Sequence, residues 1–179
     1  MNLKDKVVLV TGSGSGIGRK TSLVCAEYGA TVIALDINEE AAKLTEKMII
    51  DADGTAMAAK ADITDRVQVH TVIEDVIARF KKIDVLVNNA GSTRLGTMVD
   101  LEDSTYDFII NLNMKGPFIM STEVAKVMIP RRSGRIINIT SYCAVRGEFA
   151  NAPYCMAKAG IKMMTQVQAL ELGQYGISA

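Results

Sequence analysis

Tyr154 and Lys158 stand four residues apart, and Ser141 precedes the tyrosine by thirteen. On a helix, positions four apart share a face, so the phenol and the ammonium would point the same way. A phenol with its ordinary pKa of about 10 is a weak base at neutral pH. A neighbouring cation favours the phenolate and lowers that value. With Lys158 close by, Tyr154 has the chemistry to exchange a proton with an alcohol or carbonyl oxygen. Ser141 has the hydroxyl to hold that same oxygen. The competing reading is a Tyr and a Lys on a solvated helix face, which a lone Tyr-x-x-x-Lys does not exclude.

A second group of residues has the chemistry to bind an anion. Glycines alternate at 12, 14, 16 and 18, directly after the apolar run Val7-Val-Leu-Val-Thr11. A buried strand, a glycine turn and a helix start, in that order, aim backbone N–H groups and a positive helix end at a phosphate. Gly-x-Gly-x-x-Gly fails because Ile17 stands where its last glycine belongs, and the P-loop fails because Gly18-Arg19-Lys20-Thr21 is one residue out of step. The pattern present is Thr11-Gly12-x-x-x-Gly16-x-Gly18. It suits a dinucleotide; a purely structural glycine turn is the alternative. Asp36 ends the next apolar run, Thr31 to Leu35, twenty residues after Gly16. At that spacing a carboxylate accepts the hydroxyls of an adenosine ribose and repels a 2′-phosphate, so NAD is expected over NADP. Asp36 as an N-cap of the following helix is the alternative.

Strand and helix alternate along the chain and must position these groups. Arg19–Ala30 reads as a helix with Ile17, Val24 and Ala26 inward and Gly29 as its stop. Glu39–Asp51 is helical. Thr55–Ala61 is a third strand ending at Asp62, and Asp65 caps a helix through Phe80. Ile83–Val87 is a fourth strand that delivers Asn88-Asn89-Ala90-Gly91. One long helical region covers 102–128, Arg135–Thr140 is a fifth strand, and Ala152–Tyr175 is a final helix. Such alternation predicts an α/β fold, a doubly wound parallel sheet in three layers, α/β/α. Ligands of these sheets sit beyond the C-terminal strand ends. The glycine turn, Asp36, Asp62, Asn88–Gly91 and Thr140–Ser141 all fall on that edge.

The 179 residues suffice for one domain with a core. Lys plus Arg equals Asp plus Glu at 20 each, so net charge suggests no nucleic-acid partner. Cys25, Cys143 and Cys155 lack metal-like spacing and read as reduced, mostly buried thiols. His70, the only histidine, is expected on the surface, which argues against Ser-His-Asp chemistry. No apolar run reaches the length of a signal peptide core or a membrane span, so no membrane partner and a cytoplasmic location are expected. A methyltransferase also uses a glycine loop and an acid after its second strand, but has no use for Tyr154 and Lys158.

Thr11-Gly12-x-x-x-Gly16-x-Gly18, Asn88-Asn89-Ala90-Gly91, Asn111-Leu-Asn113-Met-Lys-Gly116, Ser141 and Tyr154-x-x-x-Lys158 together resemble the short-chain dehydrogenase/reductase family. The resemblance runs from residue 3 to 179. It implies a Rossmann-like fold and an NAD(P)-dependent oxidoreductase acting on an alcohol–ketone pair. It assigns Tyr154 as catalytic acid/base and Ser141 as the group orienting the substrate oxygen. Lys158 would bind the nicotinamide ribose and lower the tyrosine pKa, and Asn113 would hold a water in the proton relay. The cofactor would contact Thr11, Gly12, Ser15, Gly16, Ile17, Gly18, Asp36, Asp62, Ile63, Asn89, Ala90, Gly91, Tyr154 and Lys158.

Family members continue beyond this point into a sixth strand, a substrate lid and a seventh strand. The expectation is therefore a single, C-terminally incomplete domain, 1–179, with Ile177 as an unpaired stub, an exposed edge on strand five and weak catalysis. The substrate is a small alcohol or ketone. The alternatives are a 3-oxoacyl-thioester (acyl-carrier-protein) reductase using NADPH, with Arg94 or Arg146 meeting an anionic substrate, and a dinucleotide-binding module without activity. In the family the long helix and the last helix pack against a second subunit, which implies a homodimer or homotetramer.

Overall fold

The computed structural model describes residues 2–179. Its strands are β1 (Val7–Thr11), β2 (Thr31–Asp36), β3 (Thr55–Lys60), β4 (Val85–Asn88), β5 (Gly134–Asn138) and β6 (Ile177–Ser178). They form one sheet in the order β3-β2-β1-β4-β5-β6, with every pairing parallel. Parallel strands need crossovers, and the chain supplies helices α1 (Gly16–Glu27), α2 (Glu39–Ile50), α3 (Arg66–Phe80), α4 (Asp103–Ile110), α5 (Gly116–Met128) and α6 (Ala152–Gly173). Alternation along β1 divides the core. Val7 and Leu9 pack with α3 and α5 through Val69, Ile73, Met120 and Val124. Val8 and Val10 pack with α1 and α2 through Leu23, Ala26 and Ile49. Strand order reverses at β1, so a crevice opens beyond the C-terminal ends of β1 and β4.

Several expectations are corrected. Helix α1 starts at Gly16, and Ile17, in its first turn, is 69% exposed rather than inward. Ser22, Leu23, Cys25 and Ala26 make the inner face. The long helix is broken: Asn111–Lys115 forms a π-turn between α4 and α5. Pro117 explains the break, because it has no N–H to give to the carbonyl one α-turn back. The Gly116 N–H instead reaches the Asn111 carbonyl, five residues behind. Gly116 also packs tightly, since a Cβ there would lie 2.6 Å from Ile63 Cδ1. Ile177 is no stub. It is buried and pairs with Gly134, while Ser178 pairs with Arg135, so β6 covers the start of β5. Of the three free cysteines only Cys143 is buried; Cys25 and Cys155 are half-buried. His70 lies on the surface beside Glu74 and Glu123, as expected.

A buried polar chain sets α6 on the sheet. Asn88 Nδ2 donates to Ser121 Oγ of α5 at 2.9 Å and to Asn138 Oδ1 of β5 at 2.8 Å. Asn138 Nδ2 then donates to Thr165 Oγ1 and Gln168 Oε1 of α6, both at 2.9 Å. Buried polar groups of this kind are specific because leaving one unmet is costly. The network ties the later turns of α6 to β5, although Asn88 Oδ1 itself finds no partner.

Candidate active site

A cleft of about 870 Å³ lies at the crevice. Gly12, Ser15, Gly16, Ile17, Gly18, Asp36, Asp62, Ile63, Asn89, Ala90, Gly91, Ser141, Tyr154 and Lys158 all line it. Two expected residues lie behind its wall. Thr11 is fully buried, and its Oγ1 accepts the N–H groups of Asn89 at 3.1 Å and Ala90 at 3.0 Å. It thereby fixes the end of β4 against β1. Asn113 is the second.

The glycine turn is built for close approach. Gly12 has φ +65°, in the region that favours glycine. A Cβ at Gly18 would stand 2.0 Å from the Gly12 carbonyl oxygen, and one at Gly14 would stand 2.8 Å from Asp36 Oδ2. Asp36 is held rather than loose. Its Oδ2 accepts the Gly14 N–H at 2.8 Å and its Oδ1 the Asn38 N–H at 2.9 Å. Asn38 itself caps α2, accepting the Ala41 N–H, so Asp36 is not the cap. A clamp not anticipated from the sequence holds the turn from behind. Arg19 donates to the Gly14 carbonyl and, at 3.0 Å, to Thr45 Oγ1. Thr45 Oγ1 donates to the Ser13 carbonyl at 2.8 Å. These residues suit a dinucleotide: space only glycine leaves open, free N–H groups at a helix start, and a fixed carboxylate beside them.

At the other group, Lys158 is 4% exposed and donates to the Ile139 carbonyl at 2.9 Å. Burial pushes its pKa down. Its Nζ lies 5.5 Å from the centroid of the Tyr154 ring. Ser141 Oγ accepts the Cys143 N–H at 3.1 Å and lies on the same cleft wall as Tyr154. The expectation that Lys158 sets the tyrosine pKa is corrected. Burial of the phenol dominates and raises it, the Ser141 hydroxyl opposes, and Cys143, Glu148 and Cys155 add to the rise. The lysine is itself desolvated and turned to a carbonyl, which weakens its pull.

Asn113 sits in the π-turn, fully buried. Its Nδ2 donates to the Ser92 carbonyl at 2.7 Å and the Ile109 carbonyl at 2.9 Å. Its Oδ1 has no partner. A Cβ on Gly91 would lie 2.7 Å from that oxygen and 3.5 Å from Lys158 Nζ, so the two polar atoms converge beside the glycine. A buried, unpartnered acceptor near an ammonium is the setting for an ordered water.

Phe108, Asn111, Leu112, Ile139 and Thr140 also line the cleft; Asn111 and Leu112 belong to the quoted motif and Thr140 to the expected edge, but none was assigned a role from the sequence. Asn111 and Leu112 reach it because the π-turn rotates them there; Ile139 and Thr140 needed only adjacency to Ser141. Arg94 lies over the Phe108 ring, 4.2 Å from its centroid, and Arg146 over Tyr142 at 5.9 Å. Among the described residues no group of three or more His, Cys, Asp or Glu could hold a metal ion, and no helix is long and apolar enough to cross a membrane.

Comparison with known proteins gives the same answer as the geometry. The family model described as short chain dehydrogenase matches residues 6–179. The chain is 40% identical over 177 residues to the 3-oxoacyl-[acyl-carrier-protein] reductase FabG of Thermotoga maritima, covering 96% of this chain and 70% of that one. It is 38% identical over 179 residues to the galactitol 2-dehydrogenase of Agrobacterium fabrum, covering 99% and 69%. The crystal structure of NAD+-bound xylitol dehydrogenase superposes with a TM-score of 0.96 at 32% identity, covering 99% of this chain and 68% of that one. By family model, sequence identity and superposition alike, the chain belongs to the short-chain dehydrogenase family of oxidoreductases.

Proposed function

We propose that this chain oxidises a small secondary alcohol, or reduces its ketone, with NAD(H) rather than NADP(H). The observation that carries the reading is the placement of Asp36: its carboxylate lines the same cleft as Ser141 and Tyr154 and is locked by the Gly14 N–H. A fixed carboxylate accepts the two hydroxyls of an adenosine ribose and repels a 2′-phosphate. When bound, the nicotinamide supplies or takes the hydride. The protein does the rest. Gly12, Ser15, Gly16, Ile17 and Gly18 cradle the pyrophosphate with Thr11 bracing the turn from behind, Asp62 and Ile63 flank the adenine, and Asn89–Gly91 follow the backbone of the adenosine half. Ser141 holds the substrate oxygen and Tyr154 gives or takes its proton. Lys158 refills the tyrosine through the water beside Asn113 Oδ1. Burial keeps Tyr154 protonated at neutral pH, which suits donation to a carbonyl; in the oxidation direction the phenolate must take the alcohol's proton, a form that a nearby cation favours.

The test is titration of the purified chain with NADH and, separately, NADPH, read by nicotinamide fluorescence. Saturable binding that favours NADH is expected, and Asp36→Ala should erase the preference. Equal or tighter binding of NADPH would overturn the NAD assignment. It would also favour the second reading, reduction of a 3-oxoacyl thioester, which the similarity to the Thermotoga maritima reductase supports.

A further inference from the structure

Two successive peptides of the glycine turn are held by their carbonyls from the side away from the cleft. Thr45, fully buried on α2, has its hydroxyl 2.8 Å from the Ser13 carbonyl, nearer than the Ala41 carbonyl one turn back at 3.2 Å. Arg19, half-buried on α1, donates to the Gly14 carbonyl, and its Nε donates to Thr45 Oγ1 at 3.0 Å. Neither Arg19 nor Thr45 lines the cleft. Among the described residues no carboxylate forms an ion pair with Arg19, so its charge is committed to this turn.

In a trans peptide the C=O and the N–H point opposite ways, and no peptide among the described residues is cis. A carbonyl pinned at the back therefore turns the next N–H forward. The first peptide shows both ends: the Ser13 carbonyl meets Thr45, and the Gly14 N–H reaches Asp36 Oδ2 at 2.8 Å. The second peptide shows one end: the Gly14 carbonyl meets Arg19, and the Ser15 N–H has no acceptor within the chain. Ser15 lines the cleft, so that N–H is a free donor at its wall. A cationic donor on the carbonyl oxygen also polarises the peptide and strengthens its N–H. The turn has no means of stiffening itself, since a Cβ on Gly14 would stand 2.7 Å from Ala41 Cβ and 2.8 Å from Asp36 Oδ2. Glycine backbone without such partners is free to rotate.

We infer that Arg19 and Thr45 are positioning residues with separate duties. Arg19 turns the Ser15 N–H toward a bound phosphate. Thr45 turns the Gly14 N–H toward Asp36 and so holds the carboxylate that reads the adenosine ribose. The inference rests on the dinucleotide reading of the cleft. NADH and NADPH share the pyrophosphate, so Arg19 governs affinity for both. They differ only at the ribose 2′ position, so Thr45 governs the choice between them.

The experiment measures Kd for NADH and NADPH by nicotinamide fluorescence in the full chain and in Arg19→Lys, Arg19→Met, Thr45→Val and Thr45→Ser. A thermal melt of each places the titration below its transition. Lysine keeps the charge and loses the planar fork, so Arg19→Lys separates aim from charge. Each Arg19 variant should weaken both cofactors by about tenfold and leave their ratio within about twofold of wild type. Thr45→Val should shrink the preference for NADH by about fivefold to tenfold, chiefly by weakening NADH, and Thr45→Ser, which keeps the hydroxyl, should restore it. If Arg19→Met does not fold, Arg19→Lys decides alone, and Thr45→Ala replaces an unfolded Thr45→Val. Wild-type affinity in a folded Arg19→Lys overturns the duty of Arg19. An unchanged ratio in Thr45→Val, or a Thr45→Ser that behaves like it, overturns that of Thr45. Melting temperatures that fall in all four variants while Kd values and ratio stay put mean scaffolding alone, and overturn both. A wild-type chain that prefers NADPH overturns the NAD assignment and the duty of Thr45, and leaves that of Arg19 standing on its own two variants. Binding of neither cofactor by the folded wild-type chain overturns the dinucleotide reading, and this inference falls with it.

Discussion

Tyr154 and Lys158 are adjacent on one helix face but have different surroundings. The phenol is half-buried, and burial favours its neutral form. The ammonium is almost wholly buried with one carbonyl partner, and burial favours its neutral form too. Tyr154→Phe should lower kcat by about 10²- to 10⁴-fold, the range for a lost general acid, while NADH still binds. Stopped-flow turnover and a binding titration separate the two effects. Lys158→Met should abolish turnover and yet raise the melting temperature by a few degrees, since a poorly compensated buried charge is replaced by an apolar chain of similar length. The pH dependence fixes the sign. A lysine whose folded pKa lies below its unfolded value of about 10.4 costs stability while charged, and that cost fades as pH rises through the folded value. The gap in melting temperature between variant and wild type should therefore shrink as pH rises toward the unfolded value of about 10.4. A gap that is constant or reversed would show that Lys158 is stabilised rather than strained by its site.

At the scale of elements, the first turn of α1 and the end of β1 are one unit. A Cβ on Gly18 would stand 2.0 Å from the Gly12 carbonyl oxygen and 2.5 Å from Asn89 Nδ2, atoms that belong to backbone and to a buried partner. Gly18→Ala should cost about 3 kcal/mol and end NADH binding, as seen by thermal melting and fluorescence titration. Much of this edge was legible beforehand. Val7–Thr11 is apolar without a break because both its faces are covered, and Asp36 and Asn88–Gly91 stand at strand ends where apolar runs stop. The Asn111–Lys115 π-turn was not legible, since its residues have ordinary helical periodicity and the cause, Pro117, reads equally well as the first turn of a new helix. The Arg19–Thr45 clamp and the Asn151–Glu148 pair escaped notice for another reason: each joins residues whose proximity is decided by how elements pack, and no local pattern encodes that. Ile17 was placed inward by helical spacing alone, whereas the helix begins at the cleft and turns that side chain toward it.

At the scale of the molecule, the apolar surface exceeds what the sheet covers. Phe118 is 53% exposed, Met163 58%, Val167 42% and Leu170 82%. These side chains lie on α5 and α6, and an exposed apolar face of this kind marks an interaction surface. A second copy of this chain is the expected occupant, so light scattering at micromolar concentration should report a dimer or tetramer. Phe118→Asp should shift it toward monomer, and a wild-type monomer would contradict the assignment. Strand order has a further consequence, for synthesis. The chain reaches the cradle, Asp36 and Asn89–Gly91 while it lays down β1 to β4, and Tyr154 comes only some sixty residues after Gly91. A growing chain thus has the grip for a dinucleotide before it has the group that reacts. Metabolite already in the cell is then in a position to stabilise the half-made protein by mass action, a role in which the cofactor assists maturation ahead of turnover.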